Sequence, residues 1–362
     1  SQVFQPVDVQ GDDIAFLQYT GGTTGIAKGA MLSHRNIIAN VEQSFAWIKP
    51  KFTIGHERVA VILPLYHIFS LVANALIFAR AASLCVLIPN PRDLKNLVQA
   101  FADNHFTALM GVNTLFSTLL NRKTFRNLDL HELKIIIAGG MALHEAVAKK
   151  WNKITGSTIL EGFGLTETSP ITCINPLDAT GYNGSIGLPI SSTEVMIIDD
   201  EENELPLGEA GELCFRGPQV MQGYWKHPEE SARVFFGDGW VKTGDVAKVD
   251  DQGYVYIVDR KKDMIDVAGF NVYPNEVESV VALCPGVREV AVVGVEHPVT
   301  GEAVKAFIVK DYDTLTKGDI IAFCKEKLVG YKLPKRVAFV DELPKNNVGK
   351  ILRRVLREKE VV

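Results

Sequence analysis

Residues 19–29 read YTGGTTGIAKG, a loop rich in glycine and threonine that ends on a lysine and a glycine. Gly21, Gly22 and Gly25 open backbone dihedrals closed to other residues and let the chain approach a ligand closely. Successive N–H groups can then point into one concavity, with Thr20, Thr23, Thr24 and Lys28 adding hydroxyl donors and positive charge. Such a loop suits a polyphosphate. It is not a Walker A loop, because Gly25 is followed by Ile26 and Lys28 by Gly29. The plainer alternative is a Gly/Thr turn between strand and helix.

Four further groups of residues carry chemistry. Lys350 stands in LPKNNVGKILRR after a flexible Asn-Asn-Val-Gly turn. A lysine so placed can be carried to a distant site, where its compact ammonium suits charge building on phosphate and acyl oxygens; alone it would be a solvated surface group. Residues 161–167 read EGFGLTE at the end of a strand, where open α/β sheets bind ligands; the plainer reading is a Gly-rich strand end with an incidental acid. Thr243-Gly244-Asp245 and Asp259-Arg260 read together as a ribose clamp, since a carboxylate can accept both hydroxyls of a cis-diol. His67 lies in PLYHIF among apolar and aromatic residues, either as a packing histidine or as a general base.

The elements that must position these groups alternate. Strand patterns occupy 14–20, 59–64, 83–89, 106–110, 133–138 and 158–161, and helical patterns 34–47, 67–80, 93–104, 113–121 and 144–155. The alternation implies an α/β fold, a partial doubly wound and largely parallel sheet with helices on both faces. From 184 to 260 helices disappear and short strands between glycine turns predict a small β-barrel or meander. Beyond Arg260 a smaller α+β unit is expected, with Pro274 opening a helix and a basic helix ending the chain. The expected units are therefore 1–183, 184–260 and 261–362.

These motifs, in this order, closely resemble those of the adenylate-forming enzymes, the superfamily of acyl-CoA synthetases, luciferases and peptide-synthetase adenylation domains. YTGGTTGIAKGAMLSHRN together with DRKKDMIDVAGFNVYPNEVE is most similar to bacterial long-chain fatty-acid–CoA ligases. The resemblance implies that Lys350 is the adenylation lysine, that Thr166 contacts phosphate and that Glu167 holds Mg²⁺, a cation that prefers oxygen ligands. It implies adenine stacking on Phe163, between Gly162 and Gly164, where the family usually has tyrosine. Gly139, Gly140 and Met141 would line the adenine and acyl pocket, and Asp245, assisted by Arg260, would bind the ribose. His67 would position the acyl carboxylate, Lys262 would be the hinge of a mobile C-terminal domain, and Gly269 would open a tunnel for the pantetheine arm. The implied reaction joins a fatty acid to CoA at the expense of ATP. Rivals are another acyl- or aryl-adenylating ligase, and a nucleotide-binding protein without turnover; Lys350, Glu167 and Asp245 speak against the latter.

Members of that family carry a long segment before the phosphate loop. This chain is read as lacking it, with strand 14–20 drawn from the middle of a sheet, and as weakly active by itself.

Composition bounds the rest. With 362 residues, 47% hydrophobic and 22% charged, the chain reads as a globular protein of two or three domains. A net charge of −5 argues against general nucleic-acid binding. Five cysteines without a CxxC pair suggest reduced thiols, a cytoplasmic setting and no zinc site. Lys and Arg outnumber Asp and Glu from Tyr331 onward; the plain reading is a solvated helix face, the other a contact with phosphates or the inner face of a membrane. A homodimer is left open.

Overall fold

The computed structural model describes residues 6–20, 27–346 and 349–358; the expectations for Gly21, Gly22, Thr23, Thr24 and Gly25 fall outside them. The first two strands, β1 (Ile14–Thr20) and β2 (Lys28–Ser33), form an antiparallel hairpin that pairs Thr20 with Lys28. This corrects the expectation of a mid-sheet strand. A chain that turns back within a few residues pairs antiparallel, and β1 leaves Ile14, Leu17 and Tyr19 exposed. Helix α1 (His34–Ile48) follows, started by a reciprocal capping box between Ser33 and Asn36.

Seven strands make the main sheet: β3 (Arg58–Val61), β4 (Leu84–Leu87), β5 (Ala108–Gly111), β6 (Ile135–Ala138), β7 (Leu160–Gly164), β8 (Ile171–Ile174) and β9 (Leu188–Pro189). Their order is β4-β3-β5-β6-β7-β8-β9, parallel from β4 to β7 and antiparallel beyond. Helices α2 (Ile77–Arg80), α3 (Leu94–Asn104), α4 (Asn113–Leu120), α5 (Lys123–Arg126) and α6 (Glu145–Thr155) accompany them. Side chains alternate across each strand. Val59 and Met110 therefore pack with Phe45 and Phe78 on the α1–α2 side. Ala60 and Leu109 pack with Phe101, Phe116 and Trp151 on the other. The helix expected over 67–80 begins instead as a wide π-helical turn, Ser70–Leu76. Strand β7 runs three residues past its expected end and so carries the EGFG motif. Strand β8 was not expected; Asn40 of α1 pins it, bonding both the N–H and C=O of Ile171.

The β-rich segment is a five-stranded antiparallel sheet of β10 (Glu194–Ile198), β11 (Gly211–Arg216), β12 (Phe235–Phe236), β13 (Trp240–Val249) and β14 (Val255–Arg260). It is not free of helix, because Pro228 starts α7 (Pro228–Val234). The last unit opens on an unexpected hairpin, β15 (Ile265–Val267) and β16 (Phe270–Val272), followed by α8 (Pro274–Val281), β17 (Val287–His297), β18 (Gly301–Lys310), α9 (Lys317–Lys325), β19 (Arg336–Phe339) and α10 (Arg353–Glu358). Pro274 sits at the first helical position, where its missing N–H costs nothing. Among the described residues no helix is long and apolar enough to cross a membrane.

Candidate active site

A cavity of about 60 Å³ opens at the C-terminal ends of β5, β6 and β7. Ile48, Ala73, Ile77, Met110 and Ile137 make its wall apolar, while His67 and Thr166 add polar groups. Two glycines around it leave little room for a side chain. A Cβ on Gly139 would lie 3.0 Å from Cζ of Phe69, and one on Gly164 would lie 1.9 Å from the Pro170 carbonyl oxygen. Gly140, Gly162 and Phe163 also line the cavity, whereas Met141 is not among the lining residues. The Phe163 ring leans on Phe215 with centroids 6.1 Å apart. His67 is half-buried; its Nδ1 accepts from the Phe69 N–H at 3.2 Å, and burial together with the charge of Lys350 holds its pKa below the usual value.

Asp245 and Arg260 face each other across the β13–β14 pairing, with Arg260 Nε 3.2 Å from Asp245 Oδ1. The other carboxylate oxygen, Oδ2, is buried and has no partner. Burial pushes the Asp245 pKa up, and the charges of Arg260, Lys350 and Lys262 act against it. A buried acceptor without a donor is costly, so this site suits a ligand hydroxyl.

Lys350 reaches the same place from the last unit. Lys345 bridges Ile351, the Asn346 N–H donates to the Lys350 carbonyl at 2.9 Å, and the Lys350 N–H donates to Asn346 Oδ1 at 2.8 Å. Burial and the positive charge of Arg260 lower the Lys350 pKa to about 7, while Asp245 opposes the shift.

Glu167 lies in the turn after β7, and the Tyr224 hydroxyl donates to its Oε1 at 2.6 Å. Backbone bonds place Tyr224: Trp225 N–H to the Gly29 carbonyl and Met221 N–H to the Glu167 carbonyl, both 2.8 Å. The β1–β2 pair and the Glu167 turn thus share one bracket, residues 221–225. Sequence reading missed Tyr224; its only signal was the run Gly223-Tyr224-Trp225 in a glycine-rich stretch. Lys28, expected to face phosphate, here pairs with Glu230 and lies 5.1 Å from the centre of the Tyr224 ring. Thr20 closes the strand end opposite it.

Among the described residues no three His, Cys, Asp or Glu side chains cluster as a metal cage. A lone carboxylate such as Glu167 fits Mg²⁺, which is held by one or two carboxylates plus substrate phosphates. Besides Met141, the expected residues Thr20, Lys28, Glu167, Asp245, Arg260, Lys262, Gly269 and Lys350 are not among those lining the cavity. Lys262 is in the turn Lys261–Asp263 between the second and third units. Gly269 is exposed at the tip of the β15–β16 hairpin with φ of +83°, which favours glycine, and its N–H donates to Asp266 Oδ1 at 2.7 Å.

The model of the AMP-binding enzyme family matches residues 2–225, and that of the AMP-binding enzyme C-terminal domain matches residues 276–350. The chain belongs to the AMP-binding enzyme family. Among relatives of this AMP-binding enzyme, the long-chain-fatty-acid–CoA ligase of Escherichia coli O6:H1 is 54% identical over 348 residues, which cover 96% of this chain and 62% of that protein. The ligase of the same name from Bacillus subtilis is 42% identical, again over 96% of this chain and 62% of its own length. The chain thus spans about three fifths of the length of these curated relatives. ATP-bound MatB from Rhodopseudomonas palustris superposes with a TM-score of 0.91 at 35% identity, covering 99% of this chain and 70% of that one. Apo MatB superposes over the same shares with a TM-score of 0.78.

Proposed function

We propose that this AMP-binding chain carries the machinery of a long-chain fatty-acid–CoA ligase. A fatty carboxylate oxygen attacks the α-phosphorus of ATP, the bond to the β-phosphate oxygen breaks, and acyl-AMP and pyrophosphate form. The CoA thiol, losing its proton, then attacks the acyl carbon; the bond to phosphate oxygen breaks and AMP leaves. The observation that carries the reading is the meeting of Lys350 with the half-satisfied Asp245 beside a cavity whose wall is almost wholly apolar. The relatives named for long-chain fatty acids support the choice of acid.

In this reading Asp245 Oδ2 accepts a ribose hydroxyl and Arg260 holds the other carboxylate oxygen in place. Phe163 offers its ring to adenine. His67, kept neutral by burial and by Lys350, orients the acyl carboxylate at the mouth of the apolar cavity. Lys350 and Thr166 stabilise charge on the phosphate oxygens as pyrophosphate departs. Glu167, fixed by Tyr224, would hold Mg²⁺, which when bound offsets phosphate charge. The closer match to ATP-bound than to apo MatB supports this arrangement as the adenylating one. Lys262 is then the hinge that takes Lys350 away and brings Gly269 to the site for the CoA arm.

Free cysteines at 85, 173, 214, 284 and 324 support a reducing, cytoplasmic setting. Peripheral membrane attachment gains little from the basic tail, because Lys332, Lys345, Arg353 and Arg357 all form ion pairs within the last unit or with the hinge.

The test is ATP–pyrophosphate exchange with acids from acetate to long-chain fatty acids, with and without Lys350→Ala. Exchange that rises with chain length and collapses in the variant is expected. Exchange with an amino acid or aryl acid alone would assign the site to another adenylating ligase.

A further inference from the structure

Arg353 opens α10, three residues after Lys350, and its side chain is only 17% exposed. Its guanidinium meets two elements at once, α8 of the last unit and β14 of the β-rich segment. On α8 it bonds Glu278 Oε2 at 2.8 Å and Asn275 Oδ1 at 2.6 Å. At the end of β14 it lies 3.8 Å from Asp259 Oδ1, and just beyond the strand 3.3 Å from Asp263 Oδ2. Asp259 itself joins the two: its Oδ2 accepts the Asn275 N–H at 2.7 Å.

The other end of the Lys345–Ile351 bridge is tied differently. Lys345 binds Glu289 of β17 at 2.7 Å, a contact wholly within the last unit. Arg353 also reaches β14, the strand whose Arg260 holds Asp245 and whose Asp259 pairs with Val246 of β13. A planar fork with five donors can span these partners; a point charge on a flexible stem cannot.

We propose that Arg353 is a positioning residue for adenylation. By binding Asp259 it fixes Lys350 against the strand pair that carries Asp245 and Arg260. The inference rests on the ligase reading only for the step it affects. Because Arg353 acts through Lys350, its loss impairs adenylation and leaves thioester formation alone.

The experiment uses the full chain with Arg353→Gln and Arg353→Lys, each alone and combined with Lys350→Ala. Thermal unfolding, ATP–pyrophosphate exchange, and thioester formation from supplied acyl-adenylate are read for each. Exchange should fall on the order of 10²-fold in Arg353→Gln, the cost of a misplacement near one ångström. Thioester formation should hold, and adding the change to Lys350→Ala should cost nothing further. If Arg353→Gln unfolds, Arg353→Lys, which keeps the buried charge but not the fork, carries the comparison. Equal loss in both half-reactions, or a full additional loss on top of Lys350→Ala, would make Arg353 a structural residue only. Absence of exchange by the parent chain with every acid would instead sink the ligase reading.

Discussion

Gly349 lies against Thr114: a Cβ built on the glycine would stand 2.9 Å from the threonine Oγ1. Gly349 also has φ of +84°. The last unit and the first unit therefore touch through a residue that admits no side chain, immediately before Lys350. Gly349→Ala is expected to lower adenylation about 10-fold or more, since left-handed backbone strain is of order 1–3 kcal/mol. Exchange kinetics check this; an alanine variant with parental exchange would show that Gly349 does not dock this way during catalysis.

The pH dependence of adenylation should report Lys350. Its ammonium is needed, and its pKa in the free protein is lowered to about 7. Activity expressed as kcat/KM for ATP should therefore fall as pH rises through about 7. Bound phosphates favour the charged form and raise the pKa, so kcat should hold to higher pH. A falling limb that survives in Lys350→Ala belongs to another group.

Asp245→Ala should raise the KM for ATP about 10- to 10²-fold, the worth of hydrogen bonds to a charged group. Stability should fall modestly, because Arg260 loses its ion pair with the buried Asp245 carboxylate. The parent should discriminate against 2′-deoxy- or 3′-deoxy-ATP and the variant should not. Unchanged discrimination would separate Asp245 from the ribose.

Tyr224→Phe removes the 2.6 Å donor to Glu167. Exchange should drop roughly 10-fold, in line with one hydrogen bond to a charged group, and the Mg²⁺ concentration for half-maximal rate should rise. Parental Mg²⁺ dependence would mean that the Tyr224 bond does not orient the carboxylate during turnover.

The sequence by itself determined what residues within a turn or two of each other decide. Apolar runs such as the one containing Val59 and Ala60 set strands covered on both faces, and Pro274 set the start of α8. The expectation of chemistry at Lys350, Glu167 and Asp245 came from residue type within motif and from the family resemblance. The tertiary structure alone decided the rest. Strand β1 looked like a mid-sheet strand until its partner turned out to be β2, because the apolar pattern fixes a strand but not its neighbour. Tyr224 reaches Glu167, and Arg353 reaches Asp259, only after sheets and turns have brought distant segments together. Such contacts depend on the packing of whole elements, which no local pattern encodes.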